Sequence, residues 1–273
     1  MTLKKLHNND TNIIKRLSIQ ISLNGFSFCI INCDTNFIEK IEVSSFKAKF
    51  SPEQTLQALT REFDNNPLLQ SDFKKIEVIY DNDLYGFVPK ALFDPSNQKE
   101  YLRYAIKTLA TDFITHDSIK QYDLINVYVP YANINNYIFE RFGSFEYYHA
   151  TTLLVEQLLQ KEKNNDKPTV FVYVNTTNFH LIAVQNGTLK ICNTFVHETA
   201  EDFLYYLMFT AEQLQLNPED FSLYVLGTID TEHPYYKIAY KYIRNIQLLN
   251  DVNNSNHGPD LSYHKDFIFI NRL

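Results

Sequence analysis

The chain has 273 residues, 45% of them hydrophobic, with a formal net charge of −7, six glycines and three cysteines. That length fits about two domains at roughly 100 to 200 residues each, and an acidic chain with no Lys/Arg stripe excludes nonspecific binding to nucleic acid or an anionic membrane surface. An odd cysteine count argues against a disulfide framework, Cys29-x-x-x-Cys33 lacks a second ligand pair for zinc, and no apolar run approaches the roughly 20 residues of a membrane span, so a cytoplasmic protein is expected.

Residues 1–15 read as a polar leader, whose two lysines are followed by no apolar core and so make no signal peptide. Strands are predicted near 17–23, 26–32 and 37–44, the first two turned by Asn24-Gly25. Ser51-Pro52-Glu53-Gln54 predicts a helix near 52–65: a Ser N-cap, Pro at the first helical position and Gln at the third form a capping box. Ile76–Tyr80 reads as a fourth strand; of Asp81, Asp83, Asp94 and Asp112, the candidates for acid-base work, Asp81-Asn82-Asp83 reads as ordinary turn chemistry. Leu102, Ala105, Ile106, Leu109, Ala110 and Phe113 put one apolar face on a helix near 97–113. Tyr122–Val129 reads as the fifth strand, a short helix covers 133–142 up to Gly143, and a helix at 149–162 leads into the polar linker candidate 161–168.

The second half echoes the first. Shifted by 153 positions, Leu17–Asn32 lies over Val170–Gln185, so that Ile19 falls on Val172, Ile21 on Val174 and Phe26 on Phe179. Asn186-Gly187 signals a hairpin into a third strand, Leu189–Phe195. Thr199–Asp202 repeats the helix-opening pattern, Phe221–Leu226 repeats the buried strand, and Tyr235–Lys241 lies over Tyr101–Lys107. Each half therefore reads as three strands, helix, strand, helix, strand. A period of half the chain means two similar domains, placed at 16–147 and 148–273, because solenoid repeats are only about 20 to 50 residues long. The tail holds a polar loop at 253–259 and ends in Phe267–Ile270, which should return to a sheet or pack on one.

This duplicated order resembles the plan of the actin, sugar-kinase and Hsp70 superfamily, and residues 170–195 resemble the matching stretch of bacterial actin-like proteins of pilus assembly and cell division. Over nearly the whole chain, with residues 17–30 and 139–159 as further cues, the sequence is similar to the bacterial domain of unknown function 3822 family. The resemblance implies an α/β, duplicated RNase-H-like (actin-like ATPase) fold: two domains, each with a mixed five-stranded sheet flanked by helices, facing a cleft.

Active members of that superfamily carry Asp and Gly on the first hairpin, a Gly-rich run with Asp at both ends on the second, and a Gly pair beside adenosine. Glycine lets backbone N–H groups close on phosphates, and the carboxylates hold Mg²⁺ and its attacking water. At the matched positions this chain has Gln20 and Ser22, then Tyr173, Asn175, Thr176, Thr177 and His180, and it keeps one glycine, Gly227. The resemblance thus implies no catalytic residue, metal or cofactor. Ser22, Asn24, Asn175, Thr176, Thr177 and Gly227 are binding positions only if the cleft takes a ligand.

His149, His180, His197, His233, His257 and His264 fit no helical ligand pair and read as structural, with His180 facing a helix or solvent. Gly-x-Ser-x-Gly is absent. The pairs Tyr147-Tyr148, Tyr205-Tyr206 and Tyr235-Tyr236 point weakly to a partner surface. The reading is a non-catalytic scaffold or interaction module with an unknown protein partner or self-association. The alternative is a nucleotide-dependent actin-like switch or small-molecule kinase with a rewritten site.

Overall fold

The computed structural model describes residues 14–103, 106–109, 111–250 and 261–272. Strands β1 (Lys15–Ser22), β2 (Gly25–Asn32) and β3 (Phe37–Ser45) form an antiparallel meander, and helix α1 (Pro52–Asn65) follows on the Ser51/Gln54 capping box. Strand β4 (Lys75–Tyr80) then pairs parallel to β1. After an insertion come helix α3 (Ala132–Phe142), strand β8 (Glu146–His149), parallel to β4, and helix α4 (Ala150–Lys161). The second half repeats this with β9 (Thr169–Val174), β10 (Asn178–Gln185), β11 (Thr188–Val196), α5 (Ala200–Gln213), β12 (Ser222–Gly227), α6 (Pro234–Tyr240) and β13 (Asn245–Leu248). Both sheets are mixed and have five strands, in the orders β3-β2-β1-β4-β8 and β11-β10-β9-β12-β13.

The repeat extends to the register. Ile19 faces Phe28 and Ile21 faces Phe26; 153 positions on, Val172 faces Leu181 and Val174 faces Phe179. Both meanders carry an irregularity at the same place, between Ile30 and Ile31 and between Ala183 and Val184. The β10–β11 hairpin turns on Asn186 and Gly187, both at positive φ, the two-residue turn whose twist matches the flanking strands.

Helices cover the outer faces and fill the space between the sheets. Leu59 and Phe63 of α1 and Ile134 and Ile138 of α3 pack on Leu17, Ile19 and Val78. Phe203 and Leu207 of α5 pack with Ala239 of α6 on Val172 and Leu223. Between the sheets, Leu154, Val155 and Leu158 of α4 join Ile31 and Ile79 of one sheet to Phe171 and Ile182 of the other. Phe267–Ile270 packs there too, but as a one-turn helix, α7, and not as a strand. Its position is held by Arg272, which hydrogen-bonds the buried Glu77 on β4.

The insertion overturns three expectations. Leu124–Tyr128 (β7) is not a strand of the large sheet; it lies between β5 (Tyr85–Pro89) and β6 (Thr115–Ile119) in a separate antiparallel three-stranded sheet. The fifth strand of the first sheet is instead the four-residue β8. Among the described residues, the helix expected near 97–113 is present only as α2 (Gln98–Leu102): Leu109 N–H instead donates to the Asp112 carboxylate at 2.7 Å, and Leu109 and Phe113 are exposed. Tyr101 therefore belongs to the insertion, and the helix matching α6 is α3. Among the described residues of the tyrosine pairs, only Tyr205 is well exposed; the leader residues 1–13 and the loop at 253–259 lie outside the described residues.

Candidate functional site

Parallel strands β1 and β4 in one sheet and β9 and β12 in the other end at a common cleft, the position where open α/β sheets usually place a site. The face of β1 turned inward is polar, carrying Ser18, Gln20 and Ser22, whereas Leu17, Ile19 and Ile21 face the outer core. A cavity of about 270 Å³ opens here, lined by Gln20, Ser22, Asn24, Tyr173, Asn175 and Thr176 among others. This is just under the roughly 300 Å³ at which small-molecule pockets usually begin.

The floor of the cleft is a buried carboxylate. Asp81, directly after β4, is only 4% exposed, and its backbone N–H donates to the Ile21 carbonyl at 2.9 Å. Its Oδ1 lies 2.8 Å from Nε2 of His180, and its Oδ2 accepts from Gln20 Nε2 at 2.9 Å and Asn175 Nδ2 at 3.2 Å. Burial alone would raise the Asp81 carboxyl; the charge and hydrogen bond of His180 and the amide of Gln20 outweigh it and hold the group below its ordinary value. The other ring nitrogen of His180 lies 2.7 Å from the Thr194 hydroxyl, which lies 2.9 Å from the Tyr85 hydroxyl. The chain of contacts thus passes from the first half to the second and back.

Behind Tyr85 sits a second buried polar cluster. The His149 ring packs 4.8 Å from the Tyr85 ring, with Nδ1 2.7 Å from Thr151 Oγ1, and burial pushes its pKa down to about 3. The Asp117 carboxylate accepts from the His149 backbone N–H at 2.8 Å, Thr152 Oγ1 at 2.7 Å and Tyr128 OH at 3.0 Å, tying the start of α4 to the inserted sheet. Burial outweighs these donors and pushes its pKa up to about 6.

The residues expected at the cleft divide into three groups. Asn175 and Thr176 line the cavity, Asn175 being tied to Asp81. Ser22 lines it too, but its hydroxyl closes the β1–β2 turn, donating to the Gly25 carbonyl at 3.0 Å and accepting from Asn24 N–H at 3.2 Å. Asn24 Nδ2 donates across the cleft to Thr177 Oγ1 at 2.6 Å, so Thr177 is spent on a bridge. Gly227 is absent from the lining, which takes Thr228 instead: at φ +90, a Cβ on Gly227 would stand 2.1 Å from the Val174 carbonyl oxygen. That glycine serves the contact between β9 and β12.

Two readings are corrected. Asp81 is a buried tertiary group rather than part of an ordinary turn, and His180 faces a carboxylate rather than a helix or solvent. The signals were a carboxylate directly after the apolar strand Ile76–Tyr80 and a histidine inside the apolar run of β10. Among the described residues, no group of three or more His, Cys, Asp or Glu side chains is placed to hold a metal ion. None of their helices is long and apolar enough to cross a membrane.

A family model described as "Protein of unknown function (DUF3822)" matches residues 6–246. A search of curated proteins gave no match. Among solved structures, a protein with actin-like ATPase fold and unknown function from Bacteroides thetaiotaomicron VPI-5482 superposes with a TM-score of 0.79 at 19% identity, covering 89% of this chain and 93% of its own. A chain of the PilM-PilN type IV pilus biogenesis complex superposes with a TM-score of 0.56 at 10% identity, covering 87% and 88%.

Proposed function

We propose that this chain, which belongs to the DUF3822 family of proteins of unknown function and has the actin-like ATPase fold, is a non-catalytic scaffold or interaction module that acts through its surfaces. The observation that carries this reading is the condition of Asp81. Three donors from the same chain already engage its carboxylate, so a hydrated Mg²⁺ would have to displace these buried hydrogen bonds to reach it. The phosphate-binding role of glycine is also poorly supplied, since Gly227 is packed against backbone. The PilM-PilN structure is by its name a complex with a second protein, in line with a binding role for this fold.

The nucleotide-dependent switch is favoured by one observation, the cavity with Thr176 on its wall. Calorimetric titration of the purified chain with ATP and Mg²⁺, repeated with ADP and paired with a phosphate-release assay, separates the two. The expected result is no saturable heat and no turnover. Binding near micromolar, about −8 kcal/mol, or Mg²⁺-dependent turnover lost in Thr177→Ala, would overturn the proposal in favour of the switch.

A further inference from the structure

Strand β3 is an edge strand: it pairs with β2, and among the described residues nothing pairs with its other side. An open edge of nine residues offers a ladder of backbone donors and acceptors, and proteins normally blunt such edges with charge or a bulge. Here both devices lie before Val43, at positions 38–42 of the strand. The irregularity lies opposite Ile30/Ile31, and the ion pairs are Lys15 with Glu39 and Lys40 with Glu42. Beyond them Val43 stands 69% exposed.

That end of the edge lies at the cleft. Ile41 and Val43 line the cavity together with Ile268 and Phe269 of the tail, making an apolar wall in a space of about 270 Å³. Such a space suits one or two side chains better than a large ligand. Three lysines stand at this end. Lys265 lines the cavity beside two carboxylates that the chain already engages, Asp81 by His180, Gln20 and Asn175 and Asp266 by the Ser262 N–H. Lys47 and Lys49 follow β3 on an exposed loop tied to the β1–β2 turn by Phe46 N–H to the Asn24 carbonyl and Phe50 N–H to the Leu23 carbonyl, both 2.8 Å. None of the three lysines forms an ion pair with a described residue, although the chain as a whole carries −7.

We propose that the free edge of β3 and the adjoining cavity form a docking site for an extended acidic segment of a partner protein. The segment adds as a strand beside Ile41–Ser45, places one apolar side chain against Val43, Ile268 and Phe269, and sets carboxylates near Lys47, Lys49 and Lys265. This deepens the interaction-module reading and rests on it.

The test selects a random 12-residue peptide library on the full chain, then measures binding of the enriched peptides by fluorescence anisotropy and amide exchange. The expected peptides are acidic with a central apolar residue, protect the β3 amides, and bind at least tenfold more weakly to Lys47→Glu/Lys49→Glu and to Val43→Asp, two variants changed only at exposed positions. No enrichment, basic consensus peptides, unchanged binding to both variants, or protection elsewhere on the chain would each overturn the site. So would β3 amides already protected without peptide in a dimer, which would mean that two copies pair there. ATP turnover would overturn the non-catalytic reading while leaving these peptide results standing, so the two failures are distinguishable.

Discussion

Asn24 and Thr177 stand 153 positions apart, the spacing of the internal repeat, and their side chains meet across the cleft at 2.6 Å. Equivalent places in the two halves therefore touch each other, as in a two-fold interface within one chain. The sequence overlay of Leu17–Asn32 on Val170–Gln185 is the same relationship seen before folding.

That bridge predicts coupling between the halves. Asn24→Ala and Thr177→Ala should each cost about 0.5–1 kcal/mol, since the bond is neutral and exposed. The double variant should cost little more than either single one, because the second substitution removes a bond already lost. Urea unfolding of the four proteins measures this. Additive losses would show that the two side chains do not act together.

Asp81→Asn should be far more damaging. Asp81 is a buried carboxylate engaged by His180, Gln20 and Asn175, and a hydrogen bond to a charged group is worth about 1.5–3 kcal/mol. The pH dependence has a definite sign. The folded carboxyl lies below its ordinary value of 3.8, so the unfolded chain takes up the proton first as pH falls. The stabilisation is full above about pH 4 and drains as pH drops through the folded value. Wild type should lose stability over that acid range, and Asp81→Asn should lack this part of the slope in urea midpoints.

The strands and hairpins were legible because each follows from local alternation and turn residues: Asn186-Gly187 turned where such pairs turn, and Ser51/Gln54 and Thr199/Asp202 capped their helices. The inserted sheet was not. Its β7 strand is as apolar as a core strand of the main sheet, and nothing in Leu124–Tyr128 itself says that its neighbours are Tyr85–Pro89 and Thr115–Ile119. The cleft floor was hidden for a related reason. Asp81 and His180 are 99 positions apart, and in the sequence Asp81 stands in Asp81-Asn82-Asp83, which has the composition of an ordinary turn.

Two glycines separate backbone strain from crowding. Gly143 and Gly227 both have positive φ, but a Cβ at Gly143 meets nothing within 4 Å, whereas at Gly227 it would stand 2.1 Å from the Val174 oxygen. Gly143, at φ +76 and ψ −137, is in a region that residues with side chains rarely adopt, so Gly143→Ala should cost only that conformational penalty, about 1–3 kcal/mol. Gly227→Ala must also push β9 from β12 and should cost clearly more, with loss of cooperative unfolding as its extreme form. Equal melting temperatures for the two variants would contradict that packing.

His149 and Asp117 should oppose each other between about pH 4 and 6. The folded His149 pKa is about 3, so as pH falls below its ordinary 6.5 the unfolded chain binds a proton that the folded chain refuses, and stability drains down to about pH 3. Asp117 does the reverse. Its folded pKa of about 6 exceeds the ordinary 3.8, so its contribution is full below the lower value and is lost as pH rises through the higher one. In wild type the two slopes partly cancel over the shared window. Asp117→Asn should expose the histidine's slope, giving stability that climbs with pH from 4 to 6 more steeply than in wild type, while His149→Gln should leave stability that falls over the same range. Urea midpoints at pH 4, 5, 6 and 7 measure both. Parallel profiles for the two variants would mean that neither group titrates differently in the folded and unfolded chains.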